Sequence, residues 1–205
     1  MNYNTLPEGY SLLRAIDLNT DKLKLWLNLT SLPVFVALLI PAGFAVPPRT
    51  QVPFVFDAIY ASLGKGFAIA MVYLALWLIC GIAFVPLHEF VHGLCFKYIA
   101  GGKPTYGQKL PFFLYAACEN RYICKKHYFV ITLAPLVVFM ALLAPVCALV
   151  PQSWFWIPYF ALVLNASGAV GDMYIAFLLL RMPKDVLAID SGVAMQFFSK
   201  QGAVQ

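Results

Sequence analysis

The stretch "PLHEFVHG" at residues 86–93 holds two of the chain's three histidines, His88 and His92, with Glu89 between them. On a helix, positions i and i+4 share a face, so the two imidazoles can be offered to one ion. Neutral imidazole nitrogen at about 2.0–2.1 Å is an ordinary zinc ligand. Glu89 follows His88 by one residue, which sets its carboxylate beside such an ion and not on it. A general base that takes a proton from a metal-activated water belongs there. The plainer alternative is three buried polar side chains that satisfy one another. It is weakened by their position at the end of a long apolar run, because a charged group at membrane depth costs about 2.5–3.5 kcal/mol or more. A single Zn2+ shared by the histidines removes that cost.

A catalytic zinc ordinarily takes three protein ligands and keeps one open position. The remaining histidine, His127 in "CKKHYF", lies at the edge of an apolar run and suits an interfacial role. Asp172 in "LNASGAVGDMYIAF" is the better third ligand, being the only acidic residue in either of the last two apolar runs. At roughly 1.5 Å per residue, His88 lies about 32 Å past Phe67, where its run starts. Asp172 lies about 27 Å past Trp154, the start of its own run. Both runs travel in the same direction, so the carboxylate and the imidazoles arrive at similar depth. Asn165, Gly168 and Asp172 follow an i, i+3, i+7 spacing on one helical face. Asn165 can donate to a developing oxyanion or a substrate carbonyl, or make a hydrogen bond between helices, and the spacing favours neither. Ser167, Gly168, Ala169 and Gly171 are small, which predicts close backbone approach to the helix of the histidines.

These residues need elements to carry them. Of 205 residues, 62% are hydrophobic and 11% charged, far from the roughly 45–50% and 25% of a soluble domain. The apolar residues gather in four runs at about 25–46, 67–99, 129–150 and 154–180, each long enough for a hydrocarbon core of about 30 Å. Prolines inside the first three predict kinks. All but Arg49 and Lys65 of the 14 lysines and arginines fall in the N-terminal segment, the stretch after the second run, or the C-terminal tail. By the positive-inside rule this predicts a multi-pass protein of the cell membrane with both termini cytoplasmic. The expected fold is an all-α membrane protein, a bundle of about four transmembrane helices with a hairpin or re-entrant segment at the cytoplasmic interface. That segment is 101–128, where "CENR" reads as a turn between two aromatic-rich stretches and an edge could hold an extended substrate; an ordinary interfacial loop fits equally. Residues 25–181 form the membrane domain, flanked by a retained polar segment at 1–24 and a tail at 182–205 in which Asp190 is structural or solvated. The net charge of +5 follows from topology and implies no nucleic acid partner. Five cysteines without a CxxC pair read as free thiols.

With "HEFVHG" on one apolar run and an aspartate near the cytoplasmic end of a later one, the chain resembles intramembrane zinc metalloproteases of the site-2 protease type. "HEFVHG" together with "GDMYIAFLLLRMPKDVLAID" and the four-run length more closely resembles a bacterial family of integral-membrane zincin metallopeptidases. The resemblance covers about residues 65–192. It implies one zinc held by His88, His92 and Asp172, with Glu89 as catalytic base. The site-2 pattern has Asp-Gly after prolines on its ligand helix, where this chain has Gly171-Asp172 and no such prolines. The implied activity is hydrolysis of peptide bonds in membrane-embedded or juxtamembrane segments near the cytoplasmic face, with the bilayer and a membrane protein or peptide as partners. Two rivals belong to other classes. One is a non-catalytic metal-binding membrane protein with a regulatory or chaperone-like role. The other is a transporter, disfavoured because the polar groups sit at one depth with no trail across the bilayer.

Overall fold

Long stretches of leucine, alanine, valine and phenylalanine leave the backbone no polar competitor and favour helix. The computed structural model describes residues 1–17, 20–46, 62–109, 113–192 and 194–200; Arg49, which the orientation argument used, lies outside them, as do residues 201–205 of the tail. Helix α1 is Asp21–Ala45, α2 Leu63–Cys95, α3 Lys125–Leu149, α4 Trp156–Gly168 and α5 Val170–Arg181. A π-helical turn, Phe96–Ala100, continues α2, and Gly101 ends it at φ 68°, a left-handed conformation that glycine adopts without strain. Among the described residues, three helical stretches are long and apolar enough to cross a membrane, Leu25–Ala45, Gly66–Ala100 and Lys125–Leu149. The run expected as one helix over 154–180 is two, α4 and α5, and counts as a fourth crossing only if the bent pair is taken together. Gly168 and Gly171 bracket the break, and each costs a helix about 1 kcal/mol relative to alanine. A Cβ at either would meet nothing within 4 Å, so these glycines loosen the helix and do not mark a close approach.

The all-α expectation is wrong. Strands β1 (Ser11–Asp17), β2 (Thr105–Lys109), β3 (Phe113–Cys124), β4 (Leu187–Asp190) and β5 (Ala194–Ser199) form one antiparallel sheet in the order β1-β5-β4-β3-β2. Residues 101–128 do hold an antiparallel pair, β2 with β3. The two terminal segments, expected to be tails, complete the sheet, with Ser11 opposite Ser199 and Asp17 opposite Ala194. "CENR" is no turn between strands. It is an irregularity within β3, whose pairing with β4 jumps from Cys118–Asp190 to Ile123–Ala188.

The chain divides into two compact units. The first comprises Met1–Leu29, Pro86–Pro135 and Ala169–Gln205 and contains all five strands. Its core gathers Ile123, Val186 and Phe197 from the sheet and its approach with Phe96, Ile131 and Leu179 from the helices. In β5 the buried residues Met195, Phe197 and Ser199 alternate with outward ones, the period of a strand with one covered face. The second unit comprises Thr30–Val85 and Leu136–Gly168 and is helical among the described residues. Aromatic rings tie its helices: Trp77 stacks on Phe160 with centroids 4.2 Å apart, and Tyr73 on Trp154 at 5.1 Å. The Tyr159 hydroxyl donates to the Leu38 carbonyl at 2.7 Å.

Candidate metal centre

Among the described residues, one group of metal-ligating side chains converges: His88, His92 and Asp172, whose donor atoms all lie within 4.8 Å of one another. All three belong to the first unit. His88 and His92 are one helical turn apart on α2, their ring centroids separated by 5.1 Å. Asp172 stands in the first turn of α5. Its Oδ2 is 3.1 Å from His88 Nε2 and its Oδ1 is 3.5 Å from His92 Nε2. The imidazoles are 12% exposed and the carboxylate 25%, so the group is sheltered without being sealed.

The His92 ring is oriented by its other nitrogen. Nδ1 lies 3.1 Å from the carbonyl oxygen of Ile131 on α3, and a carbonyl only accepts, so Nδ1 carries the hydrogen. In neutral His92 the lone pair is then on Nε2, facing the oxygens of Asp172. Two lone pairs across 3.5 Å repel unless a cation lies between them. This donor chemistry fits a metal ion. A tetrahedral ion with bonds of about 2.0–2.1 Å has ligand atoms about 3.3 Å apart, which the observed 3.1 and 3.5 Å straddle. The Ile131 carbonyl is free for this task because the residue four positions on is Pro135, which has no N–H to donate. Sequence reasoning took no notice of that pair, although a proline at i+4 from a carbonyl inside a helix is a readable signal.

Glu89 is held by the sheet. Strand β4 ends at Asp190, opposite Cys118. Two residues back along β3, the amide of Ala116 points the same way with no strand to meet. It donates to Glu89 Oε2 at 2.8 Å. No group hydrogen-bonds Oε1 among the described residues. The carboxylate is anchored by one oxygen, and the other can take up a proton.

Several polar groups around these residues are paired with one another. The Tyr128 hydroxyl donates to Asp190 Oδ2 at 2.7 Å, and the Gly192 amide donates to Oδ1 at 2.6 Å. Asp190 is therefore a buried structural residue. Burial pushes its carboxyl up to about 6, against the two donors that favour the charged form. Asn2 links the end of the motif helix to the start of α3. Its amide donates to the carbonyls of Ile99 and Ala100, and its oxygen accepts from the amide of Cys124. His127 Nδ1 lies 3.2 Å from the same oxygen and is outside the metal group. All five cysteines are free thiols. Asn165 belongs to the second unit. The break before α5 interrupts the helical face it was expected to share with Asp172, and its amide donates to the Leu136 carbonyl at 3.1 Å.

Two histidines one turn apart, a third donor from a later helix and a glutamate held beside them make up a candidate metal site. The chain belongs to the family described as "Putative zincin peptidase", which it matches over residues 81–187, more than half of its length. It is also similar to the "Uncharacterized 24.7 kDa protein in gap 5'region" of Pyrococcus woesei, 31% identical over 118 residues. That match covers 56% of this chain and 51% of the relative, so the chain spans about half the length of the relative. No solved structure matches the chain.

Proposed function

We propose that this protein is an integral-membrane zinc metallopeptidase that hydrolyses peptide bonds in membrane-embedded or juxtamembrane segments near the cytoplasmic face. The observation that carries the reading is the convergence of His88, His92 and Asp172 within 4.8 Å, beside a glutamate anchored by a strand amide. Bound there, a zinc ion supplies Lewis acidity, polarising a scissile carbonyl and lowering the pKa of water. Glu89 accepts the water proton as the oxygen adds to the carbonyl carbon. It then gives that proton to the amine nitrogen as the C–N bond breaks. The Ile131 carbonyl holds His92 in one tautomer throughout. Among the described residues strand β2 pairs only with β3 and lies at the sheet edge, so an extended peptide can add beside it and be held straight for cleavage. Membrane integration is supported by the three long apolar helical stretches, and the distribution of lysine and arginine supports cytoplasmic termini.

The test is elemental analysis and peptide hydrolysis on detergent-purified wild type, Asp172→Ala and Glu89→Gln. Near-stoichiometric zinc is expected in wild type and Glu89→Gln, and loss of it in Asp172→Ala. Hydrolysis should fall about 10²–10⁴-fold in Glu89→Gln. A Glu89→Gln protein that keeps its zinc and its full biological function would replace the peptidase with the non-catalytic metal-binding rival.

A further inference from the structure

Gly93 directly follows His92, and a Cβ at that position would overlap the hydroxyl oxygen and ring of Tyr106. The phenol therefore lies against the backbone of the motif helix, in space that exists because residue 93 has no side chain. At its other end Tyr106 sits on β2 opposite Ala116 of β3, the residue whose amide holds Glu89. One strand pair thus places both the glutamate and the phenol. Although fixed at both ends, Tyr106 is 54% exposed, and among the described residues no protein group hydrogen-bonds its hydroxyl. A donor placed by the strand pair and the helix backbone, and not spent on another protein group, is available to a developing oxyanion.

We infer that Tyr106 is a catalytic residue whose hydroxyl donates a hydrogen bond to the carbonyl oxygen of the peptide bond under attack. The assignment rests on the peptidase reading above. The hydroxyl keeps its proton throughout; the proton released by water goes to Glu89, and the phenol only shares its hydrogen with the oxygen that gains charge. Burial and, after it, the nearby charge of Glu89 raise the Tyr106 pKa, which keeps the phenol a donor. Gly93 is the matching specificity of the helix, admitting the ring beside the ligand it follows.

The test compares zinc-loaded, full-length wild type with Tyr106→Phe, using a phosphinic pseudo-tripeptide as a mimic of the tetrahedral state and acetohydroxamate as a small chelator that lacks one. In Tyr106→Phe the phosphinate dissociation constant should rise about 10²-fold, the loss of one oxyanion donor. Zinc content and acetohydroxamate affinity should not change. On any peptide that wild type cleaves, kcat should fall by a similar factor while KM stays within a few-fold. Gly93→Ala keeps the phenol but displaces its oxygen, and should weaken the phosphinate comparably with zinc retained. Unchanged phosphinate binding in Tyr106→Phe overturns the assignment and leaves the peptidase reading standing, as does loss of zinc in that variant, which would make Tyr106 structural. Tyr106-dependent phosphinate binding by a wild type that cleaves no peptide leaves the donor in place and removes the peptidase. Zinc-loaded wild type that does not bind the phosphinate overturns both.

Discussion

In the first unit, Ile123, Leu179 and Phe197 are inaccessible to solvent, and the polar groups among them are bonded, Tyr128 to Asp190 and His92 to Ile131. In the second unit, Ile79 is 60% and Ile82 74% exposed, while Asn165, a polar residue, is fully buried. Isoleucine is thus sealed in the sheet core and outward along α2, although the first unit too leaves Phe90 50% and Leu180 65% exposed on its helices. Water drives apolar groups inward, whereas lipid tails accept them and leave polar groups to seek partners inside. On the proposed membrane reading the outward isoleucines of the second unit meet lipid, while the candidate metal centre stands in the unit that has a sealed sheet core. The candidate metal ligands, the proposed base and the proposed oxyanion donor all stand on the unit that has a sheet to brace them.

The largest expected effect separates the two rules directly. Phe197→Ala removes a ring from the sealed core of the first unit and should cost about 3–5 kcal/mol. Ile79→Ala in the second unit should cost little in lipid, because the ring of neighbours that would close a cavity is absent at an exposed site. Ile79→Asp, by contrast, should lower membrane insertion by about 2.5–3.5 kcal/mol. On a water-facing surface the same change stays within about 0.5 kcal/mol. Unfolding in proteoliposomes measures the first pair, and the membrane-integrated fraction measures the third variant. Full insertion of Ile79→Asp would remove the lipid rule from the second unit.

A smaller effect separates stability from function within the first unit. Pro135→Ala gives residue 135 an N–H that competes with His92 for the Ile131 carbonyl. The helix loses a proline from its interior and should gain stability, while zinc affinity should fall about tenfold as the His92 ring loses its orientation. Chelator competition and thermal unfolding on the same sample should move in opposite directions. Equal zinc affinity in the two proteins would make the His92–Ile131 contact incidental.

Pro135 also marks the limit of what the sequence discloses. The histidine pair was legible because helical periodicity alone sets i and i+4 on one face. Asp172 was legible because an acid is rare in an apolar run and its depth can be counted. The three long helices followed from hydropathy and length, whereas the break in the fourth run did not. The sheet did not, for reasons of strand length and separation. Strand β4 is the four residues "LAID", too short to display a period, and β1 pairs with β5 across almost the whole chain. Strand β3 is hidden by polar "CENR", which reads as a turn until a partner strand exists to accommodate it. Pro135, Gly93 and Ala116 act through a missing hydrogen, a missing side chain and an unpaired amide. The carbonyl that Pro135 frees can be read from spacing alone, but the histidine that uses it cannot, and Gly93 and Ala116 show nothing until tertiary contacts place something opposite them.

The smallest effect expected lies at the rim of the sheet, where Asp185 precedes β4. Its carboxylate accepts from the Lys200 amide at 2.8 Å and from the Ser199 hydroxyl at 3.1 and 3.0 Å, stitching the end of β5 to the approach to β4. The Lys200 amide, first among the causes, holds the carboxyl below its ordinary range. A carboxyl depressed in the folded state contributes stability that is present above its unfolded pKa and lost as pH falls through the folded one. The site is partly exposed to solvent, so the contribution is a few tenths of a kcal/mol. Asp185→Asn should therefore unfold slightly earlier than wild type at pH 7, and the two proteins should converge as the pH is lowered through the depressed pKa. Denaturant titrations at pH 7 and at successively lower pH, until the gap stops changing, measure its course. A gap that levels off above zero would assign the remainder to the geometry of the side chain and not to its charge. No gap at any pH would mean that the rim of the first unit, unlike its core, holds without its polar stitches.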